Sequence, residues 1–453
     1  MQQIMQKLEK LTQDKRTRLL LVAVLILMPA ILLTAEVIGQ SRNTPWMDQW
    51  ELVTNFRQID EGTYGVDDVW RQHNEHRLVF PKLLMIGMAY ATHWNVRAEM
   101  LLSIILALGM LVVLGLLVRS IDQVTKNKWV FFLTMLVSSV IVFSLGQAEN
   151  WLWGWQIQWY LACLSFLAML WCLNRNKLPT KYLILAIIAA FVSTYSLGNG
   201  QFSWLIGGLI LYVNKEKLRV WATAATVSIV AYQINLQRTG LETPLSELIL
   251  HPLKPIAYFF VYIGRPISAN ARLACVAGFF GFVLFTGCIA FIYLKQKGSL
   301  KERSKVLVVP AGFALFALLS AAITTVSRSS LGIGQATASR YITVSNFFWI
   351  GLVLAFVIAV RFIKFRKSYH QDMVTSNALC LILALAVVAS SSSSILFTQH
   401  NHLMKTLQYC TNSPRPTDEC LMGTYPHPDI VRDRVEYLKQ KGWAGYSDAR
   451  QSD

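Results

Sequence analysis

The sequence predicts an all-α polytopic membrane protein, and three observations carry that prediction. The chain is 54% hydrophobic and only 15% charged over 453 residues, with a mean hydropathy of +0.42. So much apolar surface exceeds what one or two aqueous cores would bury. Apolar runs of about 20 residues, enough to cross the hydrocarbon of a bilayer, recur along the chain. Short Lys/Arg clusters sit in alternate gaps between those runs, which is how membrane topology is encoded. The net charge of +17 comes from these clusters and not from a continuous basic face, which argues against nucleic acid as a partner.

Taken in order, residues 1–17 are polar and basic (Lys7, Lys10, Lys15, Arg16) and are expected to stay in the cytoplasm. The run from Leu19 to Ile38 lacks a small-residue cleavage site, so it reads as a retained first span running inside to outside. Residues 39–97 form the first outside segment. Its last part, Leu78 to Trp94, is apolar but short and interrupted by Pro81 and Lys82. It is expected as a juxtamembrane or re-entrant helix, because a span here would push Arg119, Lys126 and Lys128 outside.

Further spans are expected at 98–118, 129–145, 157–173, 182–198, 203–213, 219–236, 272–294, 306–326, 342–361 and 376–398, about eleven with the first. Every loop this places inside is basic: Arg175, Lys177 and Lys181; Lys215, Lys217 and Arg219; Lys295, Lys297, Lys301, Arg303 and Lys305; Arg361, Lys364, Arg366 and Lys367. An odd count then leaves the C-terminus outside. Pro255 and Pro266 make 255–268 a broken interfacial helix. Residues 18–398 thus form the membrane domain and 399–453 an extracytoplasmic tail. In that tail Cys410 and Cys420 can form a disulfide worth on the order of 2–3 kcal/mol, and Asp429 to Lys441 reads as an amphipathic helix. No repeat or nucleotide-binding loop is present, so ATP-driven transport has no support.

The chemistry concentrates in the outside loops. Trp46-Met47-Asp48-Gln49-Trp50-Glu51 is answered by Gln72-His73-Asn74-Glu75-His76-Arg77, and a segment that only crossed a loop would not need this gathering of acids, histidines and tryptophans. The next outside loop sets Glu149 and Asn150 among Trp151, Trp153, Trp155 and Trp159. An aromatic belt accounts for some of the indoles but not for the carboxylate; indoles also stack on sugar faces. Asn199 lies between Gly198 and Gly200, where backbone can approach a ligand. Ser339-Arg340-Tyr341, with Arg328 upstream, opens a later span, where an arginine anchors headgroups or grips a phosphate with its planar fork. His73 and His76, spaced i and i+3 with Glu75 adjacent, raise a divalent metal but lack a clear third ligand. Their other reading is to orient the acidic loop by hydrogen bonds, together with Asn74 and Arg77.

Together these parts resemble the GT-C class of membrane glycosyltransferases. In that class an acid follows the first span, a second acid often follows in the next outside loop, and an arginine meets the phosphate of a polyprenyl-linked sugar donor. Asp48, Glu149 and Arg340 match those places. The runs around them also look like a group of uncharacterised bacterial inner-membrane proteins thought to belong to the class. The resemblance implies inverting transfer of a sugar from a polyprenyl-phosphate donor to a cell-envelope glycan or lipid acceptor, at the periplasmic face. One carboxylate would take the acceptor's proton and cations would hold the departing phosphate. Asp48 is the expected base, with Glu51 and Glu149 as alternates. Trp46, Trp50, His73, Asn74, Glu75, His76, Arg77, Asn150, Trp153, Asn199, Arg340 and Tyr341 are the expected binding residues, and a divalent metal stays open. An O-antigen polymerase or ligase, normally marked by a long late outside loop, is the enzymatic rival. A lipid or polysaccharide flippase would place ionisable residues at the midplane.

Overall fold

The computed structural model describes residues 14–175, 177–237, 240, 242–365 and 368–446. Lys7 and Lys10 of the N-terminal segment and Arg366 and Lys367 of the last basic cluster lie outside the described residues. The chain is all-α: among the described residues the only extended pairing is a single bridge between His73 and His76. Among the described residues, eight helical segments are long and apolar enough to cross a membrane: Arg16–Gln40, Val96–Arg119, Lys128–Leu152, Gly154–Leu173, Ala271–Lys295, Leu300–Leu331, Ser339–Phe362 and Tyr369–Asn412.

That is fewer than the eleven or so expected. The difference falls at 182–198, 203–213 and 219–236, which form Thr180–Thr194, Phe202–Asn214 and Leu218–Gln233, of 15, 13 and 16 residues. At a rise of about 1.5 Å per residue these are roughly 20–24 Å long, short of the ~30 Å hydrocarbon. They still run between the same two ends of the bundle as their longer neighbours.

Those two ends differ in chemistry. At one end the basic gaps draw together: Arg361 Nε donates to Gln123 O (3.0 Å), Asn174 Nδ2 to Ser120 Oγ (2.7 Å), Lys301 Nζ to Asn214 O (3.2 Å) and Lys217 Nζ to Leu178 O (3.0 Å). Helix starts here carry their own caps. Asn127 Oδ1 accepts from Trp129 and Val130 N, and Ser299 forms a capping box with Glu302, which satisfies first-turn donors that have no partner inside the helix. The opposite end collects the acids, histidines and tryptophans of residues 41–78, 144–159, 195–203 and 329–341.

Pro255 and Pro266 act differently from the expectation of a broken helix, while the stretch holding Pro81 is helical, as expected. Val79–Thr92 and Leu253–Gly264 are both unbroken. Pro81 and Pro255 fall in first turns, where the missing N–H has no intrahelical acceptor to lose, and Pro266 lies beyond the helix end. Leu253–Gly264 crosses Ala271–Lys295 backbone to backbone: a Cβ at Gly264 would lie 1.8 Å from Ala274 O, and one at Gly278 2.0 Å from Phe260 O.

The C-terminal segment returns to the polar end. Cys410 and Cys420 are disulfide-bonded with Cα atoms 5.6 Å apart, and Pro428–Lys441 is a helix that buries Val431, Val435 and Leu438. It clamps the segment that follows the first long helix through Arg57–Asp433 and Lys441–Asp60, each 2.7 Å, and through Met47 N to Thr424 O at 2.7 Å. Cys410→Ser is therefore expected to lower stability by about 2–3 kcal/mol. Non-reducing digestion should join the two cysteine peptides, and free alkylation of both thiols in fresh membranes would exclude the bond.

Candidate active site

The 3-10 turn Met47–Glu51 turns Gln49 and Trp50 inward, where both are buried, and leaves Asp48 and Glu51 on one side. His73 bridges them: its Nε2 lies 3.2 Å from Asp48 Oδ2 and its Nδ1 3.0 Å from Glu51 Oε2. The two histidines do not share a helix face as their spacing suggested. His73 and His76 close a tight turn, with N···O distances of 2.8 and 2.9 Å, because Asn74 takes the left-handed conformation (φ 48°), which asparagine tolerates better than most residues. Both ring nitrogens of His73 are engaged by carboxylates. Among the described residues no group of three His, Cys, Asp or Glu side chains converges on a metal position.

Burial works against charge on His73, but the hydrogen bonds and charges of Asp48 and Glu51 outweigh it and lift its pKa to about 9. Burial likewise opposes charge on Glu51, yet its bond to His73 holds it below the ordinary carboxyl value. His76 goes the other way: burial pushes it down to about 4, so its ring is neutral at pH 7. Between pH 6.5 and about 9 the folded chain holds a proton on His73 that the unfolded chain has lost. The stability it supplies is complete below the unfolded value and disappears as pH rises through the folded one. The melting temperature should fall across that window, and His73→Gln should flatten the fall; an unchanged slope in the variant would mean that His73 is not the group titrating.

Two arginines face this cluster. Arg340, on the turn Ser339–Tyr341, places Nη1 2.6 Å from Glu149 Oε1. The other oxygen of Glu149 accepts from Ser339 Oγ and Arg340 N, both at 3.3 Å. Asn150 braces the same turn, donating to Arg340 O (2.8 Å) and Thr343 Oγ1 (2.7 Å). Arg328 pairs with Glu75 Oε1.

Asp48, His73, Arg328 and Arg340 border a cavity of about 540 Å³. Asp48, His73, Asn74, Glu75, His76, Trp153, Asn199, Arg340 and Tyr341 line it. Asn199 reaches it from a turn pressed against its neighbour, where a Cβ at Gly200 would lie 1.9 Å from Ser193 O. The other expected residues stand behind the lining. Glu51 links His73 to the hydroxyl of Tyr425 (3.3 Å). Trp46 packs on Trp153 and His400 with its indole N–H on Gly423 O (3.3 Å), and Trp50 is fully buried. Arg77 is committed to the carbonyls of Trp70, Tyr232 and Ile234, so its guanidinium ties Trp70 to the segment 232–234 instead of facing the cavity.

Sequence reasoning missed several residues. Gln156, Gln158 and Gln233 line the cavity too, beside Trp155 and Trp159 of the tryptophan-rich loop; the alternation of amides with indoles in Trp155-Gln156-Ile157-Gln158-Trp159 was the available signal. Glu99 is buried at the start of an apolar helix and accepts from Gln49 Nε2 (2.7 Å) and Trp94 Nε1 (3.0 Å). It thereby fixes the turn that carries Asp48, and a lone acid opening a span was its mark. No protein-family model, curated protein or solved structure matches this chain. The fold and site define an all-α protein with multiple apolar helices of membrane-crossing length and one polar, doubly ion-paired cavity at the end away from its basic loops.

Proposed function

We propose that the chain is a GT-C-like membrane glycosyltransferase that moves a sugar from a polyprenyl-phosphate donor to a glycan or lipid acceptor. The observation that carries this reading is a cavity lined both by Asp48 and by Arg328 and Arg340. Asp48 takes the proton of the acceptor hydroxyl as that oxygen bonds to the anomeric carbon. The bond from that carbon to the phosphate oxygen breaks, and the polyprenyl phosphate leaves against the arginines. One base and one displacement invert the anomeric centre, and the paired-carboxylate geometry of retaining hydrolases is not required.

His73 holds Asp48 and Glu51 in register and offsets their mutual repulsion. The gathering of basic loops at the far end supports a cytoplasmic N-terminus and a periplasmic site in a bacterial inner membrane. The test is transfer of labelled sugar from a polyprenyl-phosphate donor to an envelope lipid fraction by the purified full chain in vesicles. Transfer above an empty-vesicle control supports the reading. Intact donor across a panel of polyprenyl-phosphate sugars would end it.

A further inference from the structure

Asp48 follows a residue with an unusual backbone. Trp46 is extended (φ −138°, ψ 140°), and the 3-10 turn Met47–Glu51 begins directly after it. The chain changes direction at Met47, whose φ of 47° lies in the left-handed region. A residue with a Cβ is disfavoured there, and methionine lacks the short polar side chain that lets asparagine offset the cost by a local hydrogen bond. Such a conformation persists only where its surroundings impose it.

Two sides impose it here. On one, Trp153 Nε1 donates to Trp46 O at 3.0 Å and Gln49 Nε2 donates to Glu99 Oε2 at 2.7 Å; neither bond uses the Met47 N–H. On the other, the C-terminal segment supplies its acceptor. Met47 N donates to Thr424 O at 2.7 Å, Trp46 Nε1 to Gly423 O at 3.3 Å, and the Tyr425 hydroxyl to Glu51 Oε1 at 3.3 Å. Two of these three bonds end on backbone carbonyls, so the placement of the C-terminal backbone is what counts. Leu421 and Thr424 are buried, and Thr424 bonds back to Leu421 O through both N (2.8 Å) and Oγ1 (2.7 Å). Gly423 sits so close to the helix Ser394–Asn412 that a Cβ would lie 2.8 Å from Leu407 Cδ2. The Cys410–Cys420 bond ties the same helix to the residue before Leu421.

We propose that the loop 420–425, stapled by Cys410–Cys420, is the positioning element for Asp48: it holds Met47 left-handed and so keeps the carboxylate against His73 at the cavity. Losing the staple frees the loop, and Met47 then relaxes toward ordinary backbone and carries Asp48 away from His73. The claim about the turn stands apart from the transferase reading; only its effect on transfer rests on it.

The test is amide hydrogen exchange on the purified full chain in detergent, with and without the double change Cys410→Ser, Cys420→Ser. Amides of residues 47–52 should exchange roughly 5- to 30-fold faster without the staple, the factor that corresponds to the cost of one left-handed residue carrying a Cβ. Those of the helix Pro428–Lys441 should change less. Met47→Gly adopts the left-handed conformation without that cost, so in its background staple loss should alter exchange at 47–52 by less than about twofold. The ratio is taken within each background, so the lost methionine side chain cancels. Thiol reduction of the folded wild type, with both free thiols confirmed by mass, repeats the comparison without requiring a variant to fold. Sugar transfer should follow the same pattern: roughly 5- to 30-fold slower turnover without the staple, unchanged donor affinity, and recovery in Met47→Gly. Unchanged exchange at 47–52 after staple loss overturns the inference. An equal rise in Pro428–Lys441 does so too, since the disulfide then holds the whole segment, and so does a loss that persists in Met47→Gly. A wild type that transfers no sugar from any donor ends the transferase reading and leaves the exchange result to decide the inference.

Discussion

Asp48→Asn should lower sugar transfer by roughly 10²–10⁴-fold, the range typical of losing a general base, with expression and donor binding little changed. The carboxylate borders the cavity, and its Oδ2 meets His73 Nε2 at 3.2 Å. Its backbone belongs to a turn fixed by Gln49, which is itself bonded to the buried Glu99. Asparagine keeps the volume and can still accept from His73, so the turn should survive while the proton acceptor is lost. A purely structural Asp48 makes the opposite prediction, since Asn is an equally good cap or hydrogen-bond acceptor. Near-normal turnover by the variant would remove Asp48 from the mechanism. Glu51 would then be next to examine, because it holds the other side of the same imidazole.

How much of this was legible in the sequence depends on what kind of information each residue carried. Asp48, His73 and Glu75 stood out because charge is costly in so apolar a chain, so a dense block of it marks a site. Their partners were not legible: Glu149 and Arg340 are 191 residues apart, and nothing local ties one to the other. The helical reading of His73 and His76 failed because spacing alone does not reveal that Asn74 turns left-handed. Arg77 looked like a ligand-binding cation, but burial gave it three carbonyls to satisfy. Gln156 and Gln158 were hidden by their surroundings, since a tryptophan-rich helix start reads first as an interfacial belt. The short helices between residues 180 and 233 show the same limit in the fold. Hydropathy marks where apolar runs occur, while their lengths are set by caps and turns such as Gly198–Gln201.

Arg340→Ala should weaken donor binding roughly 10- to 150-fold, the equivalent of losing charge-assisted hydrogen bonds of about 1.5–3 kcal/mol. Arg340→Lys should fall in between, keeping the charge but not the fork. The ion pair with Glu149 complicates a simple reading of either variant. Removing the guanidinium leaves a largely buried carboxylate (side chain 19% exposed) without its cation, so stability will fall as well. A double variant, Arg340→Leu with Glu149→Leu, separates the two effects: stability should largely return, because neither charge is stranded, while donor affinity should stay low. Glu149→Gln then decides the role of the acid. If Glu149 only holds Arg340 until phosphate displaces it, the variant frees the guanidinium and donor binding should be equal or tighter, with transfer kept. If Glu149 is the base, transfer should drop as steeply as in Asp48→Asn while donor binding persists. Unchanged donor affinity in Arg340→Ala would return the arginine to a purely structural role, pinned between Glu149 and the turn that Asn150 braces.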